Sequence, residues 1–282
     1  MAILLEGKSL TEKIKNEVRA EIAKIGKTPG LAVVIIGENP AARIYVESKK
    51  KDCLAYGLKS EDFTLSEDAG EEQLLALIGD LNQREDIHGI LLQMPLPKGY
   101  SKEKVIRKIA PAKDVDAFHL ENMGRVVTAD EGGFKPCTPA GVMALLDEYG
   151  IELVGKHVVM VGCSDIVGKP QALLALHRDA TVTICHSRTV GLGTMTKQAD
   201  ILITATGRLG LITADMVKPG AVVVDIGINR GADGKIYGDV DFEAVSAVAS
   251  HITPVPGGVG PVTRAILMKN TLEAAKRAWE NV

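Results

Sequence analysis

Val158-Val159-Met160-Val161-Gly162-Cys163-Ser164-Asp165-Ile166-Val167-Gly168-Lys169-Pro170 is the stretch that decides the fold. Four apolar residues run into a glycine turn, and a helical pattern opens behind it, which is the strand–turn–helix start of a nucleotide-binding α/β unit. The turn is not G-x-G-x-x-G, because Ser164 takes the second glycine position and the last glycine is displaced to Gly168. A P-loop is excluded by the spacing and by Pro170 after Lys169. The placement still offers helix N-terminal amides to a phosphate. Further strand-like runs at 182–185, 201–204 and 222–225 are separated by Gly-bearing turns or short helical patterns, so the second half reads as a doubly wound parallel sheet.

Upstream the alternation continues. Leu10, Ile14, Val18, Ile22 and Ile25 recur at helical spacing, with Ser9 and Glu12 as a capping box ahead of them. The apolar run 31–36, ended by Gly37, predicts a buried strand. Asn39-Pro40 predicts a helix start and Gly57 its stop. A short strand at 63–65, a helix through Leu74, Leu77, Ile78 and Leu81, and a second buried strand at 88–93 follow. The first half is therefore a series of βα units around a mostly parallel sheet. Thr138-Pro139 opens another helix, and Ala265, Met268, Leu272, Ala275 and Trp279 mark the buried face of a last one.

Bulk properties narrow the function. A chain of 282 residues is long for one core and suggests two domains. A net charge of −3 gives no electrostatic case for nucleic acid or an anionic membrane, and 4% aromatic residues argue against a base-stacking surface. Cys53, Cys137, Cys163 and Cys185 form no CxxC pair, which fits a reducing cytosol. The histidines show no HExxH, so a metal site has no support. The amino terminus is too briefly apolar for a signal peptide and no run approaches a membrane span, so the expectation is a soluble cytoplasmic protein.

Chemistry-bearing residues fall at the strand ends. Tyr45 and Lys49 share one helical face just past a buried strand, where open α/β sheets place ligands, although such a pair is more often simply exposed surface. Gln93 ends the next buried strand; a neutral amide can position an amine without raising its pKa, as a carboxylate would. Lys113-Asp114-Val115-Asp116-Ala117 places two carboxylates in a loop. After the strand at 182–185, where an NAD enzyme carries an acid for the ribose, stand Ser187 and Arg188, which favours NADP. Finally Thr253-Pro254-Val255-Pro256-Gly257-Gly258-Val259-Gly260-Pro261-Val262-Thr263 mixes prolines with glycines, specifying one rigid loop that runs into a helix.

Taken in order, these motifs resemble the bifunctional methylenetetrahydrofolate dehydrogenase/methenyltetrahydrofolate cyclohydrolase family. The loop 254–261 is similar to its PVPGGVGP element. The stretch 37–49 is similar to its G-(D/E)-(N/D)-P-A-S-x-x-Y-V-x-x-K signature, with Ala42 where most members have serine. Leu91 to Pro97 resembles VQLPLP, 113–117 resembles KDVDG with Ala117 for glycine, 136–139 resembles PCTP, and 225–229 resembles DVGIN. Cys163 stands where many members have arginine.

The resemblance implies NADP-dependent oxidation of 5,10-methylenetetrahydrofolate to the methenyl form and its hydrolysis to 10-formyltetrahydrofolate, within one-carbon metabolism that feeds purine biosynthesis. It implies Lys49 as the acid–base residue, Tyr45 orienting or stacking on the folate, Gln93 bonding the lysine and Asp116 binding the pterin edge. Leu92, Met94 and Pro256, Gly257, Gly258, Val259 and Gly260 would line the substrate; Gly162, Cys163, Ser164, Ser187, Arg188 and Ile228 would hold the cofactor. It implies a catalytic domain at 1–138, a Rossmann-like domain at 139–261, a helix at 262–282 returning to the first domain, an active-site cleft between the domains, and a homodimer. Two rivals stay open: a shikimate-type two-domain dehydrogenase acting on a small hydroxy acid, and a non-catalytic nucleotide-binding module.

Overall fold

The computed structural model describes residues 2–37 and 49–280. Its chain groups into two compact units, one of Met1–Glu12 with Thr138–Thr263 and one of Lys13–Cys137 with Arg264–Val282. In chain order the first elements are β1 (Ile3–Leu4), α1 (Lys8–Ile25), β2 (Gly30–Ile36), α2 (49–56), β3 (Lys59–Leu65), α3 (Gly70–Gln83), β4 (Gly89–Leu92), α4 (Lys102–Lys108) and α5 (Leu120–Thr128). There follow α6 (Cys137–Glu148), β5 (His157–Val161), α7 (Gly168–Leu176), β6 (Thr181–Cys185), α8 (Leu192–Thr196), β7 (Ile201–Thr204) and β8 (Val222–Asp225). The last are β9 (Asn229–Arg230), β10 (Ile236–Tyr237), α9 (Phe242–Ser246), β11 (His251–Ile252) and α10 (Val259–Glu280).

The unit of Lys13–Cys137 is built on a parallel sheet in the order β3-β2-β4. Every residue of β2 is buried, as a central parallel strand covered on both faces requires. Ala32, Val34 and Ile36 pack with Leu74, Ile78 and Leu81 of α3 and with Ile90 and Leu92 of β4. Gly57 ends α2 at φ +83°, a left-handed value that glycine adopts without strain. β3 is longer than the predicted 63–65, because its first residues are polar and it lies at the sheet edge, where apolar patterning is not required.

The other unit carries a parallel sheet in the order β1-β11-β8-β7-β5-β6. Strand order reverses at β5, with β6 on one side and β7 on the other, so the carboxyl ends of these strands form a topological switch point. The first twelve residues, expected in the first domain, group with this unit: Ile3 and Leu4 extend the sheet beside His251 and Ile252. The capping box also fails to form. α1 begins at Lys8, with Ser9 inside it, because the Gly7 carbonyl accepts the first helical bond from Thr11 N at 2.9 Å. A Cβ on Gly7 would lie 2.2 Å from the Gly258 carbonyl oxygen, so this close backbone approach sets the helix entry.

Candidate active site

Lys49 is the first residue described in α2, and its Nζ donates to Gln93 Oε1 at 2.7 Å. The amide is locked at both ends. Gln93 N donates to Val34 O at 2.9 Å, prolonging the sheet ladder beyond β4, and its Nε2 donates to Met94 O at 2.9 Å. With Nε2 engaged, Oε1 faces the lysine, and a neutral acceptor holds the amine without fixing its charge. Burial lowers the Lys49 pKa from its ordinary value, against the pull of the Asp116 carboxylate. Burial also raises Asp116 to about 6, aided by Asp114 and opposed by Lys49. Both groups are thus driven toward their neutral forms, which for Lys49 suits a residue that exchanges protons near neutrality.

The loop bearing Asp116 is built by its neighbour. Asp114 is buried, and its Oδ2 accepts from His119 N at 2.7 Å and from Asn122 Nδ2 at 3.0 Å. Ala117 N donates to Asp114 O at 3.0 Å and closes the turn with φ +60°, a left-handed conformation that a Cβ makes costly. On the other side lie Cys137, at the start of α6, and Asn270 of α10. The Cys137 thiol donates to Val115 O at 3.3 Å, as does Asn270 Nδ2 at 2.9 Å. The sequence reading assigned no side-chain role to Cys137 or Asn270. Tyr45 and Ala42 lie outside the described residues. Leu92 is buried in the core of its unit, and Met94 packs partly buried on the same cluster.

In the six-stranded unit the loop after β5 is shaped by close backbone approach. Gly162 has φ +126°, and a Cβ there would lie 2.4 Å from Ala205 O; one on Gly168 would lie 2.2 Å from Gly162 O. Ser164 Oγ accepts from Val167 N and Gly168 N, each at 3.3 Å, and its carbonyl accepts from Lys169 N at 3.0 Å. Several amides expected to face a phosphate are therefore engaged by Ser164 itself, whose hydroxyl hydrogen is left to donate to a ligand. Ser164 and Cys163 are exposed. Gly162 N donates to Cys185 O at 2.9 Å, so this loop adjoins the one after β6, where Ser187 and Arg188 are exposed.

Past β8, Ile228 is 63% exposed, unusual for an aliphatic side chain and apt for packing under a ligand. Two buried carboxylates hold its turn. Asp225 accepts from Gly227 N, Asp239 N and Val240 N at 2.8–3.0 Å, and Asp239 accepts from Thr204 Oγ1, Thr206 N, Arg208 N and Asn229 Nδ2. The loop entering α10 is likewise anchored: Thr253 Oγ1 accepts from Asp225 N at 2.7 Å, and Gly258 N donates to Pro254 O at 2.8 Å. Pro256 and Gly260 are exposed, whereas Gly258 and Val259 are buried. Gly258 is among the residues the resemblance places along the substrate; a Cβ on it would lie 2.8 Å from Pro254 O and from Thr253 Cβ, so its smallness serves the turn. Gly257, at φ +116°, needs glycine for its backbone.

Lys49, Gln93 and Asp116 thus cluster in one unit, and the three glycine-bearing loops in the other. The cradle of close backbone approaches, the serine hydroxyl and the exposed arginine suit a phosphorylated nucleotide. Among the described residues no group of histidines, cysteines and carboxylates could hold a metal ion, and no helix is long and apolar enough to cross a membrane.

Comparison with known proteins agrees with this layout. Residues 5–116 match the model for the tetrahydrofolate dehydrogenase/cyclohydrolase catalytic domain, and residues 136–279 match that for the NAD(P)-binding domain. Bifunctional protein FolD of Acetivibrio thermocellus is 52% identical over 278 residues, covering 98% of this chain and 97% of that protein. The crystal structure of the bifunctional FolD enzyme from Campylobacter jejuni is 48% identical with a TM-score of 0.96, covering 98% of this chain and 99% of that one. The Trypanosoma brucei FolD structure, complexed with NADP cofactor and inhibitor, is 36% identical with a TM-score of 0.93, covering 99% of this chain and 98% of that one. Shikimate 5-dehydrogenase of Thermus thermophilus, at 18% identity and a TM-score of 0.54, shares the fold alone.

Proposed function

The chain belongs to the tetrahydrofolate dehydrogenase/cyclohydrolase family, and on that premise we propose that Lys49 carries the proton transfers, Gln93 aims it and Asp116 holds the pterin. The protein is a bifunctional enzyme. It oxidises 5,10-methylenetetrahydrofolate to 5,10-methenyltetrahydrofolate with NADP and hydrolyses the product to 10-formyltetrahydrofolate. The observation that carries the assignment of roles is the 2.7 Å bond between Lys49 Nζ and the neutral Gln93 amide, in surroundings that lower the lysine pKa.

Bound NADP supplies the acceptor for the hydride leaving the methylene carbon. Gly162, Cys163, Ser164, Ser187, Arg188 and Ile228 would hold it, with Arg188 and Ser187 favouring a 2′-phosphate over bare ribose hydroxyls. In the hydrolytic step water adds to the methenyl carbon and loses a proton; the bond from that carbon to N5 then breaks as N5 gains a proton, and the remaining hydroxyl proton leaves to solvent as the formyl C=O forms. Lys49 serves as the base for the first transfer and, once protonated, as the acid for the second. Asp116 in its ionised form accepts two N–H bonds from the pterin edge and so fixes the methenyl carbon relative to Lys49.

We also place the protein as a cytoplasmic homodimer that binds no nucleic acid. All four cysteines are unpaired, the net charge is −3, and the dimer follows from the family resemblance. Folate oxidation followed at the absorbance of the reduced cofactor, with NADP and NAD in parallel, tests the reading. Turnover with NADP supports it; binding of NADP without turnover would leave only a nucleotide-binding module.

A further inference from the structure

We propose that Arg264 of α10 is a positioning residue for Lys49: by pairing with Asp52 it occupies a carboxylate one turn from the lysine on α2 and leaves the amine to Gln93. The proposal rests on the reading of Lys49 as the proton carrier. Asp52 follows Lys49 by three residues on α2, a spacing that makes their side chains neighbours on one helical face. A carboxylate in that place conflicts with the neutral partner that Gln93 supplies, because an anion beside the amine holds its proton on. Arg264 removes the conflict. Its Nη1 lies 3.3 Å from Asp52 Oδ2, while Lys49 Nζ gives its bond to Gln93 Oε1 at 2.7 Å.

Asp52 needs that partner. Its Oδ2 is buried and makes no hydrogen bond among the described residues, so the guanidinium compensates its charge instead. Burial raises the Asp52 pKa, opposed first by Arg264 and then by Lys49. Without Arg264, the cation at helical spacing on α2 is Lys49, since Ala55 and Tyr56 stand at the corresponding places on the next turn. Among the described residues, the titratable groups facing Lys49 are Asp116 from the loop before α5, Cys137 from the start of α6, and Cys53 and Asp52 from its own helix. Both thiols keep their protons, burial pushing Cys53 up to about 11 and Cys137 well above the ordinary thiol value. Asp116 is committed to the pterin, which leaves Asp52 as the anion whose pairing decides whether Lys49 keeps its proton.

The test is the pH–rate profile of methenyltetrahydrofolate hydrolysis without cofactor in the wild type, Arg264→Ala, Asp52→Asn and the double variant, with melting temperatures on the same preparations. In Arg264→Ala the limb on which the free amine appears should move alkaline by roughly half to one pH unit, with kcat near pH 7 falling roughly three- to tenfold and KM changing less. Asp52→Asn should leave the limb in place or move it toward acid pH, since an anion is lost and the arginine stays. The double variant should lose the alkaline displacement, because no carboxylate remains there to claim Lys49. A pair that merely stapled α10 to α2 would not be rescued in this way. An Arg264→Ala profile that overlays the wild type, or a double variant displaced as far as Arg264→Ala, overturns the proposal. Should Arg264→Ala not fold, Arg264→Gln, which fills similar space without charge, takes its place with the same expected displacement. Lys49→Met separates the two layers: hydrolysis at the wild-type rate in that variant would show that the lysine assignment itself is wrong.

Discussion

Replacing Gln93 by glutamate alters one atom of the site and reverses its electrostatics. The Gln93 oxygen sits 2.7 Å from Lys49 Nζ, so an anion there would attract the ammonium form by roughly 6 kcal/mol at an effective dielectric of about 20. Burying the new carboxylate takes back several kcal/mol. A net gain of about 2–3 kcal/mol for the protonated lysine remains, a factor on the order of 30–100 in its protonation equilibrium. Hydrolysis that needs the free amine should then fall by that factor near pH 7, and its pH–rate profile should move alkaline by roughly one and a half to two units. Decay of methenyltetrahydrofolate without cofactor, followed from pH 6 to 10, reads this directly. Gln93→Met serves as control: it loses the positioning bond without adding charge, so its rate should drop with no comparable alkaline displacement. A Gln93→Glu enzyme with the wild-type profile would refute a lysine tuned by a neutral partner.

Two further outcomes follow from the six-stranded unit. Arg188→Ala should raise KM for NADP roughly ten- to hundredfold while that for NAD changes little, since a charge-assisted pair to the 2′-phosphate is lost; equal effects on both cofactors would show that Arg188 does not read the phosphate. Gly258→Val forces side-chain atoms against Pro254 O and Thr253, costing about 1–3 kcal/mol of stability. Its melting temperature and both activities should fall together, whereas a stable protein with only the dehydrogenase impaired would show that Gly258 acts in the reaction geometry instead.

The parallel strands were legible because burial on both faces demands uninterrupted apolar residues: β7 and β8 match the runs at 201–204 and 222–225 residue for residue. β1 and β11, at two residues each, are too short to carry a period, so the placement of the amino terminus was missed. Polar residues at a sheet edge hid most of β3. Lys49, Gln93 and Asp116 were singled out through the motifs around them, since their residue types alone also fit an exposed helical pair, a strand-terminal amide and a solvated loop. Cys137 was not, since its partner Asn270 lies 133 positions away and neither residue type announces a pairing. The glycine-rich entry to α10 was legible as a rigid loop, but which glycine serves backbone packing depends on Thr253 and Pro254 folding over Gly258.

The central claim is that Lys49 is the proton carrier, and Lys49→Met tests it most directly. On one preparation, methenyltetrahydrofolate hydrolysis and NADP affinity are measured together. Hydrolysis should be abolished while NADP binds with wild-type affinity, because Gly162, Ser164 and Arg188 belong to the other unit. Hydrolysis at the wild-type rate in that variant would contradict the account.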